Sequence, residues 1–392
     1  MKIAGINSFN NLSTGSIMVR SLEFAKQQGF DCKSFYGRSK NDENDSVFFG
    51  ENRIINKLID FRVALEGNPG HLHTVATKKL IKYLDAFKPD IVHFQNIHGN
   101  YIDFPLLFRY LISHKIKVVA TLHDCWTFTG HCAHYPESCS RWQTGCGDCP
   151  DIHRYMRSLF FDHTQFLLKE KKDLFLESKT VFIAPSKWIL GQFKQSELSS
   201  CPVFLIPNGI ETSVFNLAPQ RLGDKIRILG VAHPWSNEKG LDVFNRLARS
   251  LDPDLFEIVL VGVDSTLCGE VASSIKTFGL IRSKKELADL YASSDLFINP
   301  TQFDTFPTVN LEAMASGIPL FVFDVGGAAE VVTSKTGLVF KKGDVEGLLA
   351  AIQSYKRNTY SREQIIAESQ KYSEQVQFQS YVDLYRSLLS AK

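Results

Sequence analysis

The sequence predicts an α/β protein made of two doubly wound domains with parallel sheets. Three observations predict it. Short apolar runs alternate with amphipathic helical stretches, the pattern of parallel strands joined by crossover helices. The alternation runs through once, breaks at Ile206–Ala218 (IPNGIETSVFNLA), where Pro, Asn and Gly cluster, and then runs through again. The chain has 392 residues, the size of two ordinary domains.

In the first half, strands are expected at Lys2–Ile6, Cys32–Tyr36, Ile91–Phe94, Val118–Leu122 and Val181–Ala184, with helices such as Ile17–Gln28 and Val75–Phe87 between them. In the second half, strands are expected at Arg227–Val231, Glu257–Gly262, Leu296–Asn299, Leu320–Phe323 and Gly337–Phe340. Their helices include Gly240–Ser250, Lys284–Ser293, Val309–Ala315 and Val345–Tyr355. A last amphipathic stretch, Val376–Ser390, is expected to pack back on the first domain. The expected divisions are 1–207, 208–375 and 376–392.

Hydrophobic residues make up 44% and charged residues 22%, as in a folded globular protein rather than a disordered chain. The 30 phenylalanines suit a large core. A formal net charge of +2 argues against nucleic acid as the main partner, because phosphate backbones demand a basic footprint. No apolar run approaches bilayer-spanning length. The N-terminal MKIAGINSFN lacks a basic region followed by an apolar one and reads as a first strand, so a cytoplasmic location is expected. No G-x-G-x-x-G follows that strand, which argues against a dehydrogenase.

The densest chemistry lies in INPTQFDTFPTVNLEAMASGIPL, Ile298–Leu320. A buried strand leads into a polar loop holding Asp304, and then into a helix opening near Thr308 whose first turn is expected to hold Glu312. Both carboxylates would face the crevice at the carboxyl ends of parallel strands, where open α/β sheets bind ligands. The helix N-terminus also favours anions. Two carboxylates at this spacing also arise by chance, and Glu312 reads equally well as an ordinary first-turn acid.

Taken together, these segments resemble the retaining GT-B glycosyltransferases of family four, which include polysaccharide, O-antigen and colanic-acid-type assembly enzymes. The resemblance spans almost the whole chain and is strongest where Asp304-x7-Glu312 runs into Leu311–Leu320, LEAMASGIPL, which contains Glu312. It implies that Glu312 contacts the ribose of a nucleotide sugar and that Asp304 lies by the transferred hexose, where most members carry Glu. Val231–Asp242, VAHPWSNEKGLD, resembles the phosphate-gripping loop; Lys239 matches its lysine, and Gly240 lets backbone approach a phosphate. The Arg that many members place after this strand is absent, and His233 is either a substitute or a plain loop histidine.

By the same resemblance Asn208 and Gly209 of IPNGIE, and Phe306, Pro307 and Thr308 of the acidic loop, join the donor-binding set. Gly326 and Gly327 are expected to present N–H groups to the donor, Phe278–Ile281 to line the base pocket, and Glu330 to sit at a helix start. In the first domain, Gly15 lies in a loop, Asn10–Ser16, expected to approach the diphosphate and acceptor. His123 of LHDCW is expected at the cleft edge, hydrogen-bonding the donor sugar or positioning the acceptor hydroxyl, with His98 of FQNIHGNY a second candidate. The family needs no catalytic metal.

Four cysteines run as Cys132-x6-Cys139-x6-Cys146-x2-Cys149 in an insert expected at 125–150. In a reducing compartment such density points to a structural Zn²⁺ held by four thiolates, with disulfides or reactive thiols, or unligated cysteines, as alternatives. Cys32, Cys201 and Cys268 are isolated and read as small core residues. The expected acceptor is a glycan or lipid-linked oligosaccharide, with peripheral membrane contact. Arg154–Phe175 (RYMRSLFFDHTQFLLKEKKDLF) reads as a membrane-facing helix or as a packed amphipathic one. Rival readings are another GT-B enzyme, such as a sugar-nucleotide epimerase, or a non-catalytic Cys-rich scaffold.

Overall fold

A computed structural model describes residues 1–390 apart from Ser39, 41–43, Tyr155, 219–222 and Cys268, and gives no side-chain placement for Leu12 and Ser13. The expectation for Cys268 thus lies outside the described residues. The chain divides into two compact units, Met1–Ile206 joined by the chain from Phe378 onward, and Pro207–Gln377.

Unit 1 holds strands β1 (Lys2–Asn7), β2 (Asp31–Tyr36), β3 (Val47–Phe48), β4 (Ile91–Phe94), β5 (Lys117–Thr121), β6 (Val181–Ala184) and β7 (Val203–Leu205). Its helices are α1 (Leu12–Gln27), α2 (Arg53–Glu66), α3 (Thr74–Phe87), α4 (Phe104–Ser113), α5 (Thr164–Glu177) and α6 (Lys187–Gln195). The strands lie in the order β3-β2-β1-β4-β5-β6-β7 and pair in parallel, with Ile3 opposite both Cys32 and Ile91. Central strands such as β4 (IVHF) and β6 (VFIA) are buried along their whole length, as a sheet covered on both faces requires. Polar caps start the helices: Asn52 accepts from the N–H groups of Ile54 and Ile55, Asp103 from Leu106 and Ser186 from Ile189.

Side chains alternate across each strand, so β4 sends Ile91 and His93 to one face and Val92 and Phe94 to the other. Phe94 joins an aromatic stack with Phe104, Phe108, Phe175, Phe182 and Phe193, whose ring centroids lie 4.3–5.6 Å apart along the chain of contacts. This stack takes up six of the 30 phenylalanines. The opposite face, with Ile3, Met18, Leu22, Ile91 and Ile183, is covered by Phe378, Tyr381, Val382 and Tyr385. Those four residues belong to the last helix of the chain.

Unit 2 holds β8 (Ile226–Val231), β9 (Phe256–Val261), β10 (Lys276–Phe278), β11 (Leu296–Asn299), β12 (Leu320–Phe323) and β13 (Gly337–Phe340). Its helices are α7 (Thr212–Phe215), α8 (Leu241–Ser250), α9 (Lys284–Ala292), α10 (Thr308–Ala315), α11 (Val345–Ser354) and α12 (Arg362–Ser369). The parallel order β10-β9-β8-β11-β12-β13 reverses direction between β8 and β11. One face buries Leu241, Phe244 and Leu247 of α8 with Leu348 and Ile352 of α11. The other buries Ala288 and Tyr291 of α9 with Leu311 and Met314 of α10. The final helix, α13 (Glu374–Ser390), completes unit 1 with its residues from Phe378 onward.

His93 sits fully buried under α13, with Nδ1 2.6 Å from the Tyr385 hydroxyl and Nε2 2.8 Å from Thr121 Oγ1. Burial, aided by nearby His123, pushes its imidazole down to about 3. The unfolded chain takes up a proton near 6.5 that the folded chain refuses. Stability of unit 1 is therefore expected to decline as pH falls from 6.5 toward 3. Tyr385→Phe should cost about 1 kcal/mol in denaturant unfolding at neutral pH, the worth of one hydrogen bond.

Three corrections to the sequence reading follow. Asn10–Ser16 is not one loop: α1 begins at Leu12, so Gly15 is inside its first turn. A Cβ there would come within 2.6 Å of the Phe9 carbonyl, so glycine lets the preceding loop fold onto the helix. Arg154–Phe175 is not one helix. α5 begins at Thr164 and buries Leu167, Leu168, Leu174 and Phe175, whereas Phe160, Phe161 and Phe166 stay exposed. Glu330 lies in consecutive tight turns rather than at a helix start, between the Ala328 N–H to Val325 and Val332 N–H to Ala329 hydrogen bonds.

Candidate functional site

In unit 2 the sheet order reverses between β8 and β11, and the loops after these strands meet at their carboxyl ends. Gly240 has φ +84, and a Cβ there would lie 2.5 Å from the Pro300 ring. Glycine thus permits backbone contact between the two loops. The Gln302 N–H donates to the Glu238 carbonyl at 2.8 Å, and the Thr301 hydroxyl donates to it at 3.2 Å. Trp235 anchors the first loop through Nε1–H to the Val261 carbonyl at 2.8 Å. The result is that Lys239 Nζ reaches Asp304 Oδ2 at 2.9 Å. The pair is open to solvent, with side chains 39% and 21% exposed.

The Asp304 backbone is itself clamped. Gly326, at φ +54, lies so close to the Asp304 carbonyl that a Cβ would stand 1.9 Å from it, and the Gly327 N–H donates to that carbonyl at 3.0 Å. The two glycines therefore brace the acidic loop. Asn208 Nδ2 donates to the Phe306 carbonyl at 3.3 Å, and Phe306 is buried against Tyr372. Gly209 is set by packing on residues 373–374, and its N–H donates to Gln377 Oε1 at 2.8 Å. Both residues thus have framework tasks. Asn310, which the sequence reading passed over, ties the parts together: its Nδ2 donates to the Ala328 carbonyl at 2.9 Å and its Oδ1 accepts from Asn299 at 2.8 Å.

Pro307 is the residue before α10, so Glu312 is its fifth residue, just past the first turn in which it was expected. Its carboxylate accepts from the Tyr291 hydroxyl at 3.0 Å. Burial pushes the carboxyl up to about 7, against the opposing pulls of Tyr291 and the Lys284 ammonium. Tyr291 is fully buried on α9, and no spacing in the sequence links it to Glu312. His233 is a half-exposed loop residue, with Nδ1 3.3 Å from the Gly262 carbonyl. Phe278 forms the end of edge strand β10; its carbonyl accepts from Val263, and its side chain is exposed together with Leu280.

In unit 1 the order turns between β1 and β4, and polar residues gather in the loops after β4 and β5. His123 Nε2 lies 2.9 Å from Gln95 Oε1. Burial pushes the His123 imidazole down to about 4, although Asp124 pulls the other way. His98, the second candidate, meets Asp124 at 2.5 Å. Burial raises the Asp124 carboxyl, but the His98 contact and the Trp126 N–H outweigh it and hold the group below the usual carboxylate range. Gln95 and Asp124 are the partners that a reading for lone histidines misses. The adjacent His-Asp letters at a strand end were the available signal.

The Cys-rich insert continues from this loop. Cys132, Cys139, Cys146 and Cys149 line one small cavity of about 20 Å³ together with His131 and Trp142, room for about a single water-sized body. Gly130 N–H donates to Cys146 Sγ at 3.3 Å, and His131 Nε2 lies 3.4 Å from Cys149 Sγ. Among the described residues all the cysteines are free thiols. No described group of three or more His, Cys, Asp or Glu side chains is placed to hold a metal ion. Beneath the insert, buried Lys171 donates to the carbonyls of Trp126, Thr129 and Gly130 at 2.6, 2.5 and 3.2 Å. Among the described residues no helix is long and apolar enough to cross a membrane.

Comparison with known proteins agrees with this architecture. The pattern described as Glycosyltransferase Family 4 matches residues 22–214, and that of Glycosyl transferases group 1 matches residues 225–358. The chain is 26% identical over 319 residues to WcaC of Escherichia coli, named as a colanic acid biosynthesis glycosyl transferase, covering 76% of this chain and 77% of that one. It is 27% identical to CapM of Staphylococcus aureus, a capsular polysaccharide biosynthesis glycosyltransferase, covering 58% and 67%. Among solved structures, sucrose-phosphate synthase of Thermosynechococcus elongatus superposes with a TM-score of 0.70 at 15% identity, over 100% of both chains. Anabaena HepE in complex with UDP gives 0.67 at 13% identity, over 99% and 100%.

Proposed function

The chain belongs to the family 4 glycosyltransferases of the GT-B fold, and from that premise we propose that it transfers a hexose from a nucleotide sugar, with retention, to a glycan or lipid-linked acceptor in cell-surface polysaccharide assembly. The names of WcaC and CapM, both polysaccharide enzymes, support the pathway class. The observation that carries the reading is the Lys239–Asp304 contact at the point where the unit 2 sheet reverses direction, the place where open α/β sheets hold ligands.

In this reading unit 2 takes the donor. Glu312 accepts from the ribose hydroxyls. Lys239 faces the diphosphate, whose negative charge grows as its bond to the anomeric carbon breaks. The acceptor oxygen bonds to that carbon on the face the diphosphate leaves, and a diphosphate oxygen takes the hydroxyl proton. Asp304 orients Lys239 and lies by the sugar. Unit 1 takes the acceptor, with His123 steered by Gln95. No metal enters any step.

A thermal-shift screen with UDP-, GDP- and ADP-sugars tests donor binding, since a bound ligand raises apparent stability. One nucleotide class is expected to raise Tm by several degrees. NMR of the product should then show the donor's anomeric configuration. Inversion, or sugar-nucleotide isomerisation without an acceptor, would overturn the proposal.

The structural zinc remains a proposal for the insert. The four sulfurs share one cavity, and the Gly130 N–H donates to one of them, Cys146 Sγ. Ligation requires the thiols to turn toward a common centre. Protein purified without added zinc is expected to carry about one zinc per chain. Absence of zinc together with four reactive thiols would refute the site.

A further inference from the structure

A cavity of about 120 Å³ opens in unit 2 at the amino ends of its strands. Lys225, just before β8, Arg227, within it, and Asp295, just before β11, line the cavity. The Lys239–Asp304 pair stands beyond the carboxyl ends of these strands. β11 alone spans about 13 Å with its four residues, so the cavity is apart from the proposed donor site. Its volume takes on the order of ten water-sized bodies, close to the number of carbon and oxygen atoms in one hexose.

The lining is charged, yet its charges are already engaged. Arg357 Nε and Nη2 donate to Asp295 Oδ1 and Oδ2 at 2.8 and 3.1 Å, and Arg227 Nε donates to Glu257 Oε2 at 2.6 Å. Arg362 donates to the carbonyls of Ser316 and Leu217. Lys225 donates to the carbonyl of Pro253, which lies between Asp252 and Asp254 in the chain. An anion would meet cations held by acids and carbonyls, and a cation would meet four positive side chains.

What the lining leaves over suits a neutral polar ligand. A carboxylate accepts about four hydrogen bonds. Two from Arg357 and one from the Arg227 N–H leave Asp295 Oδ1 room for another. The Asn358 amide and the Tyr360 hydroxyl, both on the lining, have no hydrogen-bond partner among the described residues. Asn358 holds φ +66, a conformation that asparagine accepts more readily than most residues. Tyr355 and Tyr360 add aromatic wall. The Tyr355 hydroxyl donates to the Asp295 carbonyl at 2.9 Å, and its ring packs edge-on against Phe321.

We propose that this cavity is a second, non-catalytic carbohydrate site, which takes one neutral hexose unit of a glycan. One sugar hydroxyl donates to Asp295 Oδ1, and others exchange hydrogen bonds with Asn358 and Tyr360. The C–H face of the ring lies on the tyrosines, whose rings offer apolar surface beside a polar tip. The Arg357–Asp295 fork and the Tyr355 hydrogen bond hold the lining in place before the ligand arrives, so binding has little left to order. The proposal goes beyond the transfer reaction and rests on that reading only for the glycan to be held. A glycan anchored there stays with the enzyme between turnovers.

Saturation-transfer-difference NMR on the whole chain tests it, with the methyl α-glycosides of glucose, galactose and mannose as probes. At least one is expected to bind, and inorganic phosphate in about tenfold excess is expected not to displace it. Asn358→Gly/Tyr360→Phe removes the amide and the hydroxyl, while glycine keeps the positive φ. Circular dichroism melting checks that the variant stays folded. It should weaken binding at least fivefold, the usual loss for two hydrogen bonds, whereas Lys239→Ala should leave the affinity within about twofold. Silence from all three glycosides, displacement by phosphate, a smaller loss in the double variant, or a loss in Lys239→Ala would each overturn the proposal. Failure of the nucleotide-sugar screen, by contrast, would sink the transfer mechanism and leave this measurement readable.

Discussion

Lys239→Ala is expected to lower kcat by about 10²- to 10³-fold, the usual loss when one preorganised group facing a developing anion is removed. The loss should exceed that of a neutral deletion, because Asp304 then stands beside the incoming diphosphate with its charge uncompensated. Restoring neutrality with Lys239→Ala/Asp304→Asn should therefore recover part of the rate, a coupling that a double-mutant cycle measures. Stability should scarcely change. The pair is partly exposed, and ion pairs of that kind contribute about 0–1 kcal/mol. A rate near wild type in the single variant, or a Tm collapse that accounts for the lost activity, would remove Lys239 from the proposed chemistry.

Glu312→Gln should move function and stability in opposite directions. The folded protein holds this carboxyl near 7, above its ordinary value of 4.5. Between those two values the folded state binds a proton that the unfolded chain releases, so stability attributable to the group falls as pH rises from 4.5 to 7. Glutamine removes that cost, and the variant is expected to melt higher than the parent at pH 8, with the gap closing by pH 5. In the proposed mechanism, donor binding uses the ionised form as acceptor for ribose hydroxyls. In the parent, affinity for the nucleotide sugar is accordingly expected to rise between about pH 6 and pH 8. In Glu312→Gln it should be at least tenfold weaker at pH 8 and flat across that range. Titration calorimetry at three pH values, alongside thermal melts, separates the two effects.

The fold was legible where burial is complete. Strands β4, β6, β11 and β12 fall at the residues expected, because a strand covered on both faces is mostly apolar; edge strand β13 also falls there, although Leu338 and Val339 in it are exposed. Strands β3, β7 and β10 were missed. Each has two or three residues, and Phe204, Leu205 and Phe278 in them are exposed, so no burial pattern distinguishes these edges from loops. The site was legible one residue at a time. Asp304 and Lys239 could each be named, but their contact depends on Gly240 meeting Pro300 across 60 residues. The Tyr291–Glu312 and His98–Asp124 pairs likewise arise from packing between elements that no local spacing reports.

The last helix of the chain supplies core residues to its first unit. During synthesis, which runs from the N-terminus, unit 2 can close while unit 1, made earlier, still lacks one wall of its interior. The Ile3, Met18, Leu22 and Ile91 face then waits, uncovered, for the ribosome to release Phe378 through Tyr385. The second-made half should thus finish folding first, contrary to the usual order for multidomain chains. Stop codons introduced just before Phe378 should accordingly yield a product that aggregates through its N-terminal half while unit 2 stays folded.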